Sequence, residues 1–160
     1  MLELLTPREN PARAIYGVIM IGALMAAESG SHETYVEALV SAAIASLIYW
    51  LAHAYAELLT RRLRDHTRLS ARGLGRALAH ERALLAGAAL PMVALVIAGL
   101  AGAGPEAAVT AGLWTSIAAI AALEALAGVR AGASRGELAL EVSVGLALGA
   151  AIFALKLVLH

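Results

Sequence analysis

The chain has 160 residues, of which 61% are hydrophobic and 15% charged, and twelve basic residues balance twelve acidic ones. Soluble domains are usually ~45–50% apolar, so this composition is typical of an integral membrane protein. The zero net charge argues against a protein that binds duplex DNA, which would carry a positive excess. The sequence contains no cysteine, which excludes disulfides, thiolate metal sites and a cysteine nucleophile.

Five apolar segments are long enough to cross a bilayer, which takes ~20 residues. The first segment, centred on residues 14–27, and the fifth have the shortest uncharged cores. Pro105 separates the third segment from the fourth, because proline ends one helix and fits the first turn of the next. The sequence therefore predicts an all-α integral membrane bundle in a single domain, residues 1–160. Its five transmembrane helices are expected at about 12–28, 36–60, 82–103, 106–128 and 138–159, with an Arg-rich cytoplasmic loop at 61–82.

Basic residues are distributed unevenly between the two sides of the predicted bundle. Eleven of the twelve lie on one side if the spans alternate, and the first loop on the other side carries Glu28, Glu33 and Glu37 but no basic residue. Cytoplasmic loops of membrane proteins carry the excess of Lys and Arg. We therefore predict a cytoplasmic N-terminus and a C-terminus outside.

Ionisable residues from four predicted helices fall near the cytoplasmic ends of those helices. At the helical rise of ~1.5 Å per residue they share one depth, and they comprise His53, Glu57, His80, Glu81, Glu124, Glu137 and Glu141. A charge that faces lipid is costly, so those within the core should turn inward, pair or line water. We expect His53 and Glu57 to face the bundle interior or a subunit interface, together with Glu124 or Glu141.

This cluster has three physical interpretations. The carboxylates could form interfacial salt bridges with nearby arginines. They could instead form a proton or cation site, because histidine titrates near neutrality and a buried carboxylate binds a proton more readily. Finally, His53 and Glu57 are spaced to bind one divalent metal, helped by other members of the cluster. No cofactor is expected and a divalent metal is possible; the candidate ion or proton ligands are His53, Glu57, Glu124, Glu141, His80 and Glu81.

Arginines repeat every four residues in the predicted loop, at Arg64, Arg68, Arg72 and Arg76. A helix would place them on one face, although Gly73 and Gly75 weaken a continuous helix. They are candidate ligands of anionic lipid headgroups, on an interfacial helix, or else a solvated topology signal. No stacking aromatics interleave with them, so nucleic acid is not an expected partner.

Small residues recur at helical spacing in the last two predicted spans. They form Gly145-x-x-x-Gly149 in the fifth span and Ala108, Gly112 and Ser116 in the fourth. Such residues let helices approach closely in lipid. In a chain so rich in alanine and glycine, this pattern favours intramolecular packing over a dedicated dimer seam.

Function follows less directly from the sequence than architecture does. The chain lacks the nucleotide-binding and hydrolase motifs of soluble enzymes, which favours a non-enzymatic role. The titratable cluster and the small-residue faces predict a small channel or transporter for protons or cations that forms a homo-oligomer. The alternative is a non-transport scaffold or a metal-binding membrane protein.

Residues 49–55 (YWLAHAY) followed by Glu57, then Glu81-Arg82 and residues 88–91 (AALP), resemble a group of uncharacterised small multi-spanning membrane proteins from GC-rich bacteria. The resemblance covers the second and third predicted helices and the five-helix layout. It implies a location in the bacterial cytoplasmic (inner) membrane and implies no activity. The tryptophan-rich sensory and translocator family is similar in size and span number, but its Trp and Pro motifs are missing here.

Overall fold

The computed structural model describes residues 11–28, 34–66 and 70–159, and every regular element in those ranges is an α-helix. The predicted all-α class is therefore confirmed. In chain order the helices are α1 (Pro11–Glu28), α2 (Tyr35–Asp65), α3 (Ala71–His80), α4 (Arg82–Leu100), α5 (Pro105–Ala131) and α6 (Arg135–Leu159).

Four of the described helices, α2, α4, α5 and α6, are long and apolar enough to cross a bilayer. α1 is apolar as well but shorter. Their outward faces carry large aliphatic side chains such as Ile48, which is 61% exposed, and Leu100, which is 76% exposed. Long apolar helices with apolar outer surfaces are typical of a membrane protein, since lipid can cover what water would not.

α1 lies at the centre of the bundle and packs against α2, α4, α5 and α6. Its residues Ala14, Val18 and Ile21 are all buried. The approach to α4 is close, because a Cβ atom at Gly17 would meet the carbonyl oxygen of Leu84. The backbones of α1 and α4 therefore pack directly on each other at Gly17, without side chains between them. Small residues allow helices in lipid to associate in this way.

α2 and the pair α3–α4 form a long antiparallel hairpin. Tyr35 packs on Gly99 at one end, and the Leu58 side chain lies near Gly73 at the other. The Thr34 hydroxyl accepts a hydrogen bond from the Glu37 N–H at 3.2 Å, and the Glu37 carboxylate accepts one from the Thr34 N–H at 3.1 Å. This capping box fixes the start of α2.

The predicted Arg-rich loop contains the short helix α3, which forms in spite of Gly73 and Gly75. The Ser70 hydroxyl accepts a hydrogen bond from the Gly73 N–H at 3.1 Å and so caps the first turn. Glu81 forms the turn between α3 and α4. α3 therefore continues the direction of the hairpin rather than leaving it as an irregular loop.

The last two helices pack through small residues as the sequence predicts. Ala108, Gly112 and Ser116 of α5 are buried, and a Cβ at Gly112 would lie 2.8 Å from the Met25 sulfur of α1. Gly149 of α6 packs on Ile117 of α5 in the same way. The prediction of close packing within one chain is confirmed at these positions.

Candidate functional site

The ionisable residues predicted to converge are divided between two places. Both are near the arginine-rich end of the bundle, which is the end that carries α3 and the last turns of α2. His53, Glu57 and Glu81 lie where α2, α4 and α1 meet, whereas Glu124 and Glu141 lie between α5 and α6. Over the described residues, α2 and α6 have no Cα atoms within 8 Å of each other. The structure therefore brings the predicted residues together as two groups and does not unite His53 with Glu141.

The first group is the Glu81 cluster, formed by Arg13, His53 and Glu81. The Glu81 side chain is fully buried, and the Arg13 guanidinium lies 2.9 Å from its carboxylate at 18% exposure. His53 Nε2 lies 4.0 Å from the second carboxylate oxygen. Arg13 also donates a hydrogen bond to the carbonyl oxygen of His80 at 2.9 Å. One guanidinium thus neutralises the buried charge and fastens α1 to the end of α3.

An aromatic stack adjoins this cluster through His53. The rings of Tyr16, Tyr49 and His53 have centroids 5.6 to 5.8 Å apart. Separations of this size are typical of offset aromatic packing. The Trp50 indole donates a hydrogen bond to the Leu78 carbonyl at 3.2 Å, so α2 is also joined to α3 at this level.

Glu57 has a local partner instead of a place in the cluster. Its carboxylate accepts a hydrogen bond from the Arg61 guanidinium at 2.8 Å, one helical turn away. The two side chains are 32% and 40% exposed. The interfacial salt-bridge interpretation therefore describes Glu57, and such exposed i,i+4 pairs stabilise a helix only weakly.

The second group is the α5–α6 carboxylate pair, Glu124 and Glu141. The Glu124 carboxylate lies directly against Gly145, and the Glu141 carboxylate lies against Gly128. Each glycine makes room, because a Cβ atom there would collide with the carboxylate. Glu124 and Gly128 are four residues apart on α5, as are Glu141 and Gly145 on α6. The two carboxylates are therefore offset by about 6 Å along the contact between the two helices.

Glu124 differs from Glu81 in its ion pairing. Both carboxylates have buried oxygens that accept no hydrogen bond from the described residues, but Glu81 forms an ion pair with Arg13. Neither Glu124 nor Glu141 forms an ion pair with those residues. Burying a carboxylate without a hydrogen bond is costly, so this position stands out as one that a proton or cation would stabilise.

The rest of the α5–α6 seam contains one more polar contact. The Lys156 ammonium donates a hydrogen bond to the Thr110 hydroxyl at 2.7 Å. Between this contact and the carboxylates, Trp114 packs on Phe153 with ring centroids 5.4 Å apart. The seam is thus acidic near the arginine-rich end, apolar in the middle and basic at its far end.

Two predicted candidates have other roles or fall outside the described chain. Glu137 caps α6: its carboxylate accepts a hydrogen bond from the Ser134 N–H at 2.7 Å. Arg68 lies outside the described residues, while Arg72 and Arg76 are exposed on α3 and Arg64 lies in the last turn of α2.

Within the described ranges, His, Asp and Glu side chains form no group of three that could hold a metal ion.

Sequence reasoning counted Arg13 only as a topology signal and missed its role beside Glu81. The pair is separated by 68 positions, and no local spacing rule links a residue at the start of α1 with a helix junction so far along the chain. Glu81 stands between His80 and Arg82 in the sequence, which indicates a helix boundary and gives no sign of burial.

Comparisons with protein-family models, with curated proteins and with solved structures give no match to this chain. The class that the fold defines is an all-α protein with helices suited to span a membrane.

Proposed function

We propose that the chain is a small integral membrane protein that conducts or transports protons or cations through the α5–α6 carboxylate pair. The observation that carries this proposal is the Glu124 carboxylate. It lies in an apolar helix, packs on Gly145 and has a buried oxygen without a hydrogen bond from the described residues. A carboxylate kept for structure would be expected to have a fixed partner, as Glu81 has in Arg13.

Electrostatics support exchange at this pair. Two negative charges about one helical turn apart repel each other, and a bound proton or cation relieves that repulsion. Ionisable groups within membrane helices commonly mark ion or proton pathways. The half-buried Glu124 supplies the inner ligand, and the exposed Glu141 supplies the point at which an ion enters or leaves.

A homo-oligomer belongs to this proposal. Glu141 is exposed although its carboxylate packs on Gly128, and a charge in contact with lipid costs ~2.5–3.5 kcal/mol on insertion scales. A second subunit against α6 would replace lipid at that surface. The pathway would then run along the boundary between subunits, where the carboxylate pair is open.

The proposed topology has five spans in the bacterial inner membrane, with the N-terminus inside and the C-terminus outside. It rests on the eleven basic residues that fall on one side. Reporter fusions at Glu3, Ser70 and Ala133 should give cytoplasmic signals, and those at Gly104 and His160 external ones. A cytoplasmic signal at His160 would contradict the five-span arrangement.

Flux measurements on purified protein in liposomes test the transport proposal. Wild-type protein should conduct protons or monovalent cations, and Glu124→Gln should reduce flux to that of protein-free liposomes. The amide keeps the shape of the side chain but cannot exchange a proton or hold a cation by charge.

Glu137→Gln is the matched control for this measurement. It makes the same chemical change on α6, at an exposed position where glutamine can still cap the helix. Flux should be unchanged in this variant. Wild-type flux in both Glu124→Gln and Glu141→Gln would contradict a role for the carboxylate pair.

The second candidate function is a scaffold that holds other membrane components without transport. The apolar interior of the chain favours this function, since a transport path needs polar groups. In the described ranges the buried polar side chains are Ser46, Glu81 and Ser116 alone. An apolar groove between α2 and α4, lined by Leu39, Ala43 and Met92 among others, adds a surface for such packing. Wild-type liposomes with no flux of any cation above background would favour this function.

A further inference from the structure

The hairpin that α2 forms with α3 and α4 is longer than a bilayer core requires. α2 has 31 residues, or about 46 Å, against a hydrocarbon core of about 30 Å. α4 has 19 residues, and at about 28 Å it spans the core by itself. α3 precedes α4 and packs beside the last turns of α2, so these two segments lie together at the level of the lipid headgroups.

One side of α3 is used to dock on α2. Ala77 is buried, the Leu78 carbonyl accepts the Trp50 hydrogen bond, and Gly73 lies near Leu58. The opposite side carries Arg72 and Arg76, which are one turn apart and exposed. α3 is therefore amphipathic, with its basic side directed away from the protein.

Exposed leucines accompany the arginines at this end of the hairpin. Leu63 is 70% exposed at the end of α2, and Leu74 is 40% exposed on α3. Arg62 is exposed next to Leu63. Leu74 is two residues from both Arg72 and Arg76, so it projects from a different side of α3. Helices with leucine on one side and arginine on the other are typical of the membrane interface, where aliphatic groups lie among acyl chains and cations among phosphates.

We propose that this end of the hairpin binds anionic phospholipid of the membrane in which the bundle lies, through Arg62, Arg72 and Arg76. These three arginines form no ion pair with the described residues. A guanidinium group donates two parallel hydrogen bonds to a phosphate, which suits it to a phospholipid headgroup. The site uses residues remote from Glu124, so it stands independently of the transport proposal.

Trp50 provides a local probe for this site, because its indole is bonded to α3. The chain has two tryptophans, and Trp114→Phe leaves Trp50 as the single reporter. In vesicles that mix phosphatidylcholine with phosphatidylglycerol, brominated phosphatidylglycerol should quench Trp50 more strongly than brominated phosphatidylcholine at equal mole fraction. The ratio of the two quenching curves gives the preference for the anionic lipid.

Arg72→Gln with Arg76→Gln should reduce this preference by about 25-fold, since each basic residue near an anionic surface contributes about fivefold. Arg72→Lys with Arg76→Lys keeps the charge and should keep most of the preference, which separates loss of charge from loss of fold. Arg135→Gln removes an exposed arginine elsewhere and should leave the ratio unchanged. Equal quenching by the two lipids before mutation, or an unchanged preference in the glutamine variant, would overturn the proposal.

Discussion

Replacing Arg13 with methionine should lower the free energy of unfolding by about 3–5 kcal/mol, because it leaves a buried charge without a partner. The Glu81 side chain is fully buried, and Arg13 Nη1 lies 2.9 Å from its carboxylate. Methionine fills much of the space of the arginine stem but cannot neutralise the carboxylate or bond the His80 carbonyl. Unfolding of the purified protein by SDS in mixed micelles, followed by circular dichroism, measures the change.

The ion pair between Arg61 and Glu57 provides a matched control. Arg61 and Glu57 have similar geometry at 2.8 Å, but their side chains are 40% and 32% exposed. Arg61→Met should therefore cost about 0.5 kcal/mol or less. Arg13→Met combined with Glu81→Leu should recover most of the loss, since an apolar pair can replace a buried ion pair. Equal, small costs at Arg13 and Arg61 would contradict the structural role of the Glu81 cluster.

The helices themselves were largely predictable from the sequence. Hydrophobic length locates α2, α4, α5 and α6, and Pro105 marks the start of α5. The small residues of α5 and α6 predicted close packing, which the contacts of Gly112 and Gly149 confirm. These features depend on local sequence, where helical spacing and the chemistry of caps are sufficient.

The lateral arrangement of the ionisable residues could not be predicted in the same way. Counting residues from the helix ends assigns a common level to His53, Glu81 and Glu124, but it says nothing about which helices are neighbours. α1 packs between the other helices, and the cluster divides around it. The Glu81 carboxylate is joined to Arg13 of α1, whereas Glu124 faces α6.

α3 shows where local propensity was overridden. Gly73 and Gly75 each weaken a helix by about 1 kcal/mol relative to alanine. The cap by Ser70, the burial of Ala77 and the bond from Trp50 to Leu78 offset that cost. The first of these is visible in the sequence as a serine at helix start, but the others depend on how α3 folds back along α2.

Gly17→Ala and Gly87→Ala should each destabilise the bundle by about 3 kcal/mol, the upper part of the range for inserted methyl groups. The two glycines form a reciprocal contact between α1 and α4. A Cβ at Gly17 would collide with the carbonyl oxygen of Leu84, and one at Gly87 would collide with that of Ala14. A carbonyl within a helix cannot rotate away as a side chain can, so the helices must separate. The SDS titration used for Arg13 also measures this loss.

Gly75→Ala is the control for both substitutions, because a Cβ there would meet nothing within 4 Å. It lies inside α3, so alanine should stabilise the protein by about 0.5–1 kcal/mol through helix propensity. The same chemical change is therefore expected to have opposite signs at the two kinds of site. A neutral or stabilising effect at both Gly17 and Gly87 would show that α1 does not pack against α4 as the structure places it, and the centre of the bundle would then have to be assigned to another helix.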